Sequence, residues 1–413
     1  MEQLEIVPTY VAQLDGKILP NAHAEVDVDG DDLIDIIFGS MGGVVTVFKI
    51  TPSDRLIKWK EHRVDGCVTS IYADTNEGND TRIFVATAEG SCYVFQTTDS
   101  GDEFRPASEF RMALNVSDVL VYHGFLLFGT RDGSILMYEP DQNAFGGYKQ
   151  VQTYDLGDEI ESFLLYPNRS GGRSSRLLVL CASGAIFTFH PGDSETEPSA
   201  YAWSGPVLTP SAKTTTQFVI GGIRAASISD AVACGSVTGR IDVFSAGAER
   251  LWSYKIPEAV VALDRLSISK DEDVIIACTW SGELIAVLNP DRIVRFRMFL
   301  PTSSMFCTNL TTRSEGDRPV ERALVGVSTS GVISIYRAIE GALAHALTAK
   351  TILDVVQEHA IGEQMDDEDK RRALLQQARE RISEPISPAI AAILNKETPT
   401  VQDLVRLATL RAW

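Results

Sequence analysis

The sequence predicts an all-β fold, a seven-bladed β-propeller with a C-terminal α-helical extension, and three observations carry that expectation. One unit recurs seven times: an apolar strand, a short turn ending in glycine, and a second strand that ends in an aromatic in six of the copies. The copies read IIFGSMGGVVTVF, FVATAEGSCYVF, LLFGTRDGSILMY, LVLCASGAIFTF, AVACGSVTGRIDVF, IIACTWSGELIAV and ALVGVSTSGVISIY. Their turn glycines, Gly43, Gly90, Gly133, Gly184, Gly239, Gly282 and Gly331, are spaced 43 to 55 residues apart, the period of a hairpin-rich propeller blade. Five residues after each glycine stand Phe48, Phe95, Tyr138, Phe189, Phe244, Val287 and Tyr336.

Each element has a local reason. A tight hairpin needs backbone at positive φ, which glycine reaches without steric cost. The aromatic at a fixed offset is a packing residue expected to wedge between neighbouring blades. Outer strands are expected over Leu56–Lys60, Glu109–Ala113, Val151–Leu156, Ala200–Trp203, Arg250–Lys255 and Arg292–Phe299. Inner strands are expected over Val68–Ala73, Ser117–Tyr122, Ile160–Tyr166, Phe218–Arg224, Val260–Ile268 and Met305–Leu310. After Tyr336 no outer strand follows, whereas Thr9–Leu14 is a spare strand before the first inner one. It is expected to complete the last blade and remove an exposed edge. The propeller therefore spans 1–338.

Residues 339–413 are of another composition. Leu343, Leu347, Ile352 and the Val355–Val356 pair recur near helical period. Asp366–Asp369 precedes KRRALLQQARERI, acids before bases as the helix dipole favours. Ser387-Pro388 and Thr398-Pro399 each open a further short helix. Such helices need a surface to pack on, either the propeller or a partner subunit.

Composition narrows the function. With 37 Lys and Arg against 56 Asp and Glu, the net charge is −19, and nucleic acid recognition through phosphates is not expected. The N-terminus MEQLEIVPTYVAQLDG lacks the basic start and apolar core of a signal peptide. No apolar run has the length of a membrane span, so no direct membrane insertion is expected and the chain reads as intracellular. Six cysteines (Cys67, Cys92, Cys181, Cys234, Cys278, Cys307) sit in or beside apolar strands without CxxC spacing. They read as buried free thiols. The six histidines are scattered, and there is no GxSxG, phosphate-binding loop or HExxH motif. No catalytic residues are assigned and an enzyme is not expected.

One motif carries site chemistry, DVDGDDLIDIIFGS at 27–40. Asp27, Asp29, Asp31 and Asp35 occupy positions 1, 3, 5 and 9 of a loop whose position 7 would offer the Leu33 carbonyl. Hard oxygen donors at this spacing suit calcium, although Asp32 stands where such loops want glycine. An acidic turn capped by its own side chains, with no metal or other cofactor, is the alternative.

This motif followed by a hairpin looks like an FG-GAP repeat, the blade unit of integrin-α propellers. The match extends over VAQLDGKILPNAHAEVDVDGDDLIDIIFGSMGGVVTVFK and over RLWSYKIPEAVVALDRLSISKDEDVIIACTWSGELIAVLNPDRIVRFR at 250–297. These stretches resemble the FG-GAP repeat-containing subunit family of the KICSTOR complex. The correspondence runs through Leu251-Trp252-Ser253, the turn at Ile276–Gly282 and the strand at Arg292–Phe296. The resemblance implies a non-enzymatic scaffold whose partners are a Kaptin-like propeller subunit and other KICSTOR-like subunits. It implies a cytoplasmic protein, peripheral at the lysosomal surface, in a complex that holds the GTPase-activating complex for Rag GTPases. Amino-acid shortage then silences TOR signalling. The alternative is a propeller scaffold of another intracellular complex, for trafficking or the cilium.

Overall fold

The computed structural model describes residues 4–75, 81–96, 104–166, 176–191, 196–208, 224–228, 231–245, 249–268, 273–311, 321–341 and 343, together with 373 and 376. It is an all-β protein with the sheets of a β-propeller. Within each repeat the strand before the turn glycine and the strand after it are buried almost throughout. Asp35–Ser40 is buried at every position, and Val44–Thr51 at all but its last two. Such strands read as continuous apolar runs because both faces meet protein. The outer strand Arg55–Arg63 has no fully buried residue and carries charges along its length, as an edge facing water requires.

The strands assemble in chain order from inner to outer. Val116–Tyr122, Phe125–Thr130, Ser134–Pro140 and Tyr148–Asp155 form one antiparallel sheet. Ile160–Tyr166, Arg176–Cys181, Ile186–Pro191 and Tyr201–Leu208 form the next, followed by Arg224–Ile228, Ala231–Gly235, Arg240–Ser245 and Arg250–Lys255. Val260–Ser267, Asp273–Thr279, Glu283–Asn289 and Arg292–Arg297 take Leu4–Glu5 as a fifth strand. Thr302–Asn309, Arg322–Ser328 and Val332–Arg337 take Tyr10–Gln13 as their fourth. The eight-stranded sheet contains two antiparallel runs. One is Ile18–Val26, Asp35–Ser40, Val44–Thr51 and Arg55–Arg63; the other is Val68–Thr75, Thr81–Thr87, Ser91–Gln96 and Pro106–Arg111. They meet through the parallel pair Asn21 and Ser70.

Seven apolar clusters among the described residues fill the spaces between successive repeats, and each contains one of the seven repeat positions. Phe48 packs with Tyr10, Phe38, Phe306 and Val325, joining the first repeat to the last. Phe244 packs with Leu178, Leu180 and Val232, joining the fourth to the fifth. Val287 serves the same purpose with Val243 and Ile256. The position thus requires apolar volume rather than an aromatic ring.

The turn glycines do more than permit a hairpin. Gly43 has φ of 79°, and a Cβ there would lie 2.3 Å from the Val64 carbonyl oxygen. The chain leaving the outer strand is drawn against the turn because the Val64 N–H donates to the Gly43 carbonyl at 2.8 Å. Met112 does the same to Gly90 (2.8 Å), Leu156 to Gly133 (2.9 Å), Ile256 to Gly239 (2.7 Å) and Met298 to Gly282 (3.0 Å). In the seventh repeat the donor is Leu14, 2.9 Å from the Gly331 carbonyl.

The N-terminal segment therefore takes the part of an outer strand. Tyr10–Gln13 pairs antiparallel with Val332–Arg337, in the register Tyr10 to Ile335 and Gln13 to Val332. Upstream of Pro8, Leu4 and Glu5 pair in parallel with Phe296 and Arg297 on the neighbouring sheet, a strand addition the sequence pattern did not separate from the first. Several strand bounds shift by a few residues from expectation, Glu109–Ala113 to Pro106–Arg111 and Ala200–Trp203 to Tyr201–Leu208 among them, and two of the shifts have a clear local reason. The inner strand expected over Phe218–Arg224 lies at Arg224–Ile228, because pairing Ile228 with Ala231 fixes a short connection to its partner; 218–223 fall outside the described residues. The outer strand expected over Arg292–Phe299 stops at Arg297, where Met298 turns toward Gly282. Of the helical extension expected over 339–413, the described part is the opening turn from Ile339 and isolated helical positions. Ile339 and Leu343 are buried against Phe296, Met298, Tyr336 and Ile6.

Deleting residues 1–16 is expected to lower the melting temperature of the whole protein in a single transition and to promote self-association through the opened edge of Val332–Arg337. Thermal denaturation with light scattering checks both. Gly239→Ala is expected to cost about 2 kcal/mol or more in urea denaturation. Its φ is 81°, and the new Cβ would meet the Glu258 carbonyl oxygen at 2.2 Å.

Candidate functional site

Two features carry chemical interest, the acidic loop between an inner strand and its neighbour and the polar contacts among the inner strands. The first is the acidic loop between Ile18–Val26 and Asp35–Ser40. Its shape follows from its own carboxylates. Asp27 Oδ1 accepts from the N–H of Gly30 (2.7 Å) and Asp31 (3.2 Å), and its Oδ2 accepts from Asp32 N–H (2.8 Å). Asp31 Oδ1 accepts from Leu33 N–H at 3.0 Å, and Asp35 Oδ2 from Val28 N–H at 2.9 Å. Asp32, at the position where a calcium loop wants glycine, has φ of 65°, a conformation aspartate reaches at less cost than most residues. Leu33 is bridged to Thr311 of the seventh repeat, and the adjacent Ile34 N–H donates to the Leu310 carbonyl at 3.0 Å.

Of the four expected ligands, Asp27, Asp29 and Asp35 each place an oxygen within 4.8 Å of the others. Asp35 is fully buried, and its Oδ1 has no hydrogen-bond partner. Burial pushes its carboxyl up to about 7, against the opposing pull of the Val28 amide and Lys49. Lys49 is the residue that motif reading missed. It follows Phe48 on Val44–Thr51, and its ammonium pairs with Asp29 and, at 2.7 Å, with Asp31. Its side chain is 10% exposed, with the nitrogen 5.0 Å from the centre of the Trp59 ring. Burial would lower its pKa, but the hydrogen bonds to Asp29 and Asp31 outweigh this and raise it. The donor chemistry of the loop suits a hard divalent cation. The ammonium already seated on two of its carboxylates does not.

The second feature is the channel between the inner strands. Polar side chains stitch it. Asn21 Nδ2 donates to the carbonyls of Ser117 (3.0 Å) and Glu161 (2.9 Å), on two other inner strands. Asp118 accepts from the Ser70 hydroxyl at 2.8 Å and from Phe163 N–H at 2.7 Å. Asp264 accepts from Cys307 N–H at 2.6 Å. These bonds satisfy the carbonyls of Ser117 and Glu161 and the amides of Phe163 and Cys307 on the inner strands. Glu25, Ile34, Asp264, Cys307, Asn309 and Arg322 line a cavity of about 300 Å³ beside the acidic loop. Burial, with Asp264 nearby, pushes Glu25 up to about 8, and burial pushes Asp264 up to about 6. His23 stacks on Phe306 at 3.9 Å and lies 3.5 Å from Glu25. Cys92, Cys181, Cys234 and Cys278 are buried free thiols, and Cys67 and Cys307 partly buried ones. Burial raises the pKa of each, which removes the thiolate a nucleophile needs. Among the described residues no helix is long and apolar enough to cross a membrane.

Glu25 provides a pH test of this channel. Its folded pKa lies above its unfolded one, so the cost of holding its charge is fully present above about pH 8. That cost fades as pH falls toward the ordinary glutamate range. Glu25→Gln is expected to melt above the parent at pH 9, by on the order of 1–2 kcal/mol, since the side chain is 30% exposed. The advantage is expected to shrink toward zero by about pH 5, in thermal melts across that range.

No family model matches the chain. It is similar to the KICSTOR complex protein ITFG2 of Mus musculus, 20% identical over 349 residues, covering 72% of this chain and 77% of that protein. The resemblance carried by the acidic motif and the 250–297 stretch is thus a distant relationship over most of the chain. Among solved structures, the chain is similar to BBS1N in complex with ARL6DN, with 14% identity and a TM-score of 0.58, covering 81% of this chain and 97% of that one. It is also similar to Saccharomyces cerevisiae Sqt1, with 11% identity and a TM-score of 0.56, covering 82% and 100%. At these identities the structures show the fold.

Proposed function

We propose that this distant relative of a KICSTOR complex protein is a non-enzymatic scaffold subunit of a KICSTOR-like complex. The observation that carries the reading is the similarity to ITFG2 over 72% of the chain, which extends well beyond the acidic motif. Its frame is a seven-bladed ring, with the eight-stranded sheet counted as two blades and the N-terminal strand closing the last. Fold by itself assigns no function, and the reading does not lean on BBS1N or Sqt1.

In this role the protein binds a Kaptin-like propeller subunit and the other subunits of the complex. Through them it sits at the lysosomal surface, helps recruit the GTPase-activating complex for Rag GTPases, and restrains TOR signalling when amino acids are short. The ring supplies rigid faces, and the 339–413 segment, whose sequence VQDLVRLATLRAW brings Leu404 and Val405 to one face of an expected helix, is the second candidate surface. A binding role also suits a site inventory of buried thiols and self-capped carboxylates. A permanent interface of this kind buries on the order of 1,600 Å² or more.

Affinity purification of the full chain from its own cells, followed by mass spectrometry and co-expression with the subunits recovered, tests the assignment. A stoichiometric complex with a Kaptin-like propeller is expected, and Leu404→Asp with Val405→Asp is expected to weaken it at least tenfold. Recovery of a different set, such as trafficking or ciliary proteins, would transfer the scaffold reading to that complex. A chain that remains monomeric with every KICSTOR-like subunit would end the assignment.

A further inference from the structure

We propose that Lys49 is the resident cation of the acidic loop, so that the loop holds its shape without calcium, and that removing Lys49 converts it into a calcium site. Asp27, Asp29 and Asp35 converge on one turn, Asp31 pairs with the same lysine as Asp29, and Asp35 is fully buried, an arrangement that repels itself unless a cation sits inside it. A divalent ion would fill that need. The Lys49 ammonium fills it from within the chain, paired with Asp29 and Asp31. It arrives on a strand that is buried up to that residue, so its position is set by the core and not by the loop. An ion at the same carboxylates would share Asp29 with the ammonium and be repelled by it at close range.

The other repeats support this placement. The residue after the repeat position is Gln96, Glu139, His190, Ser245 and Leu288 in the second to sixth repeats, none of them a lysine or arginine. A base recurs there in the seventh repeat, as Arg337. Its guanidinium pairs at 2.6 Å with Glu321, beside the start of the strand Arg322–Ser328. Lys49 likewise reaches back to the loop that leads into Asp35–Ser40. At both positions a base at the end of the buried stretch of a third strand neutralises acid at the mouth of the preceding connection. The first repeat alone carries the full acid set. The inference does not depend on the scaffold reading and concerns only how this loop is built.

The test uses the full-length protein, with calcium chloride as probe, in thermal melts and isothermal titration calorimetry. The parent is expected to show no calcium-dependent shift in melting temperature up to 5 mM (~5 mM being well above sensor-type affinities) and no binding heat. Lys49→Met is expected to melt lower in chelator and to recover by about 3 °C or more on adding calcium, through mass action. Adding Asp27→Asn to Lys49→Met should abolish that recovery. If the parent itself gains stability with calcium and loses the gain in Asp27→Asn, the lysine is not the resident cation and the proposal fails. It also fails if Lys49→Met melts like the parent in chelator, or if calcium leaves that variant unchanged. Should Lys49→Met not fold in chelator, purification in calcium would restore it under the proposal and leave it unfolded otherwise.

Discussion

One backbone hydrogen bond, repeated around the molecule, is the constraint on which the rest of the structure depends. Among the described residues, the chain leaving the outer strand donates an N–H to the carbonyl of the turn glycine at Val64, Met112, Leu156, Ile256 and Met298. This bond brings the outer strand's exit against the inner hairpin and delivers the chain to the next inner strand. Each repeat is thereby set at a fixed offset from its neighbour. The apolar clusters between repeats require that offset, because Phe48, Phe244 and their equivalents pack only if successive sheets stay aligned. A sixth such bond is made by Leu14 to Gly331, so closure uses the same contact as those five steps. A network of Tyr10, Arg337 and Asp54 reinforces it: the guanidinium donates to the Tyr10 hydroxyl at 2.6 Å and also pairs with Asp54.

The inner ring is held differently. Inner strands present amides and carbonyls to a channel with few backbone partners, and polar side chains answer them. Asn21 spans to the carbonyls of Ser117 and Glu161, and Asp118 and Asp264 each accept an amide from the following inner strand. Burying these carboxylates carries a charge cost, seen in the raised pKa of Asp264, which the amides offset in part. Apolar packing sets the spacing of the sheets, and a small number of directional bonds hold their inner strands in place around the channel.

Much of the fold was legible because propeller blades are local. The hairpin signal, the turn glycine and the apolar position five residues later all lie within about 15 residues, and short-range patterning reports them directly. The candidate site was only half legible. The spacing of Asp27, Asp29, Asp31 and Asp35 announces a cation, but the sequence holds no local sign that Lys49 would supply one. Its relation to the loop is made by two adjacent strands in register, Phe38 opposite Thr46 and Ile36 opposite Phe48. The double use of the N-terminus escaped for a similar reason. The sequence pattern marked Thr9–Leu14 alone, and Leu4–Glu5, across Pro8, pairs with a different edge.

By itself, then, the sequence determined the repeated unit, its turn chemistry, the burial of the middle strands and the spare strand that an incomplete last repeat must borrow. These follow from side-chain period and backbone sterics, which act between neighbours in the chain. Only the tertiary structure decided which carboxylates face which cation, where the channel is stitched, and that the Gly43 turn must admit the Val64 carbonyl as well as a positive φ. Those outcomes depend on distances between residues brought together by closure of the sheets, and electrostatic partners and close backbone approaches are properties of that closed geometry.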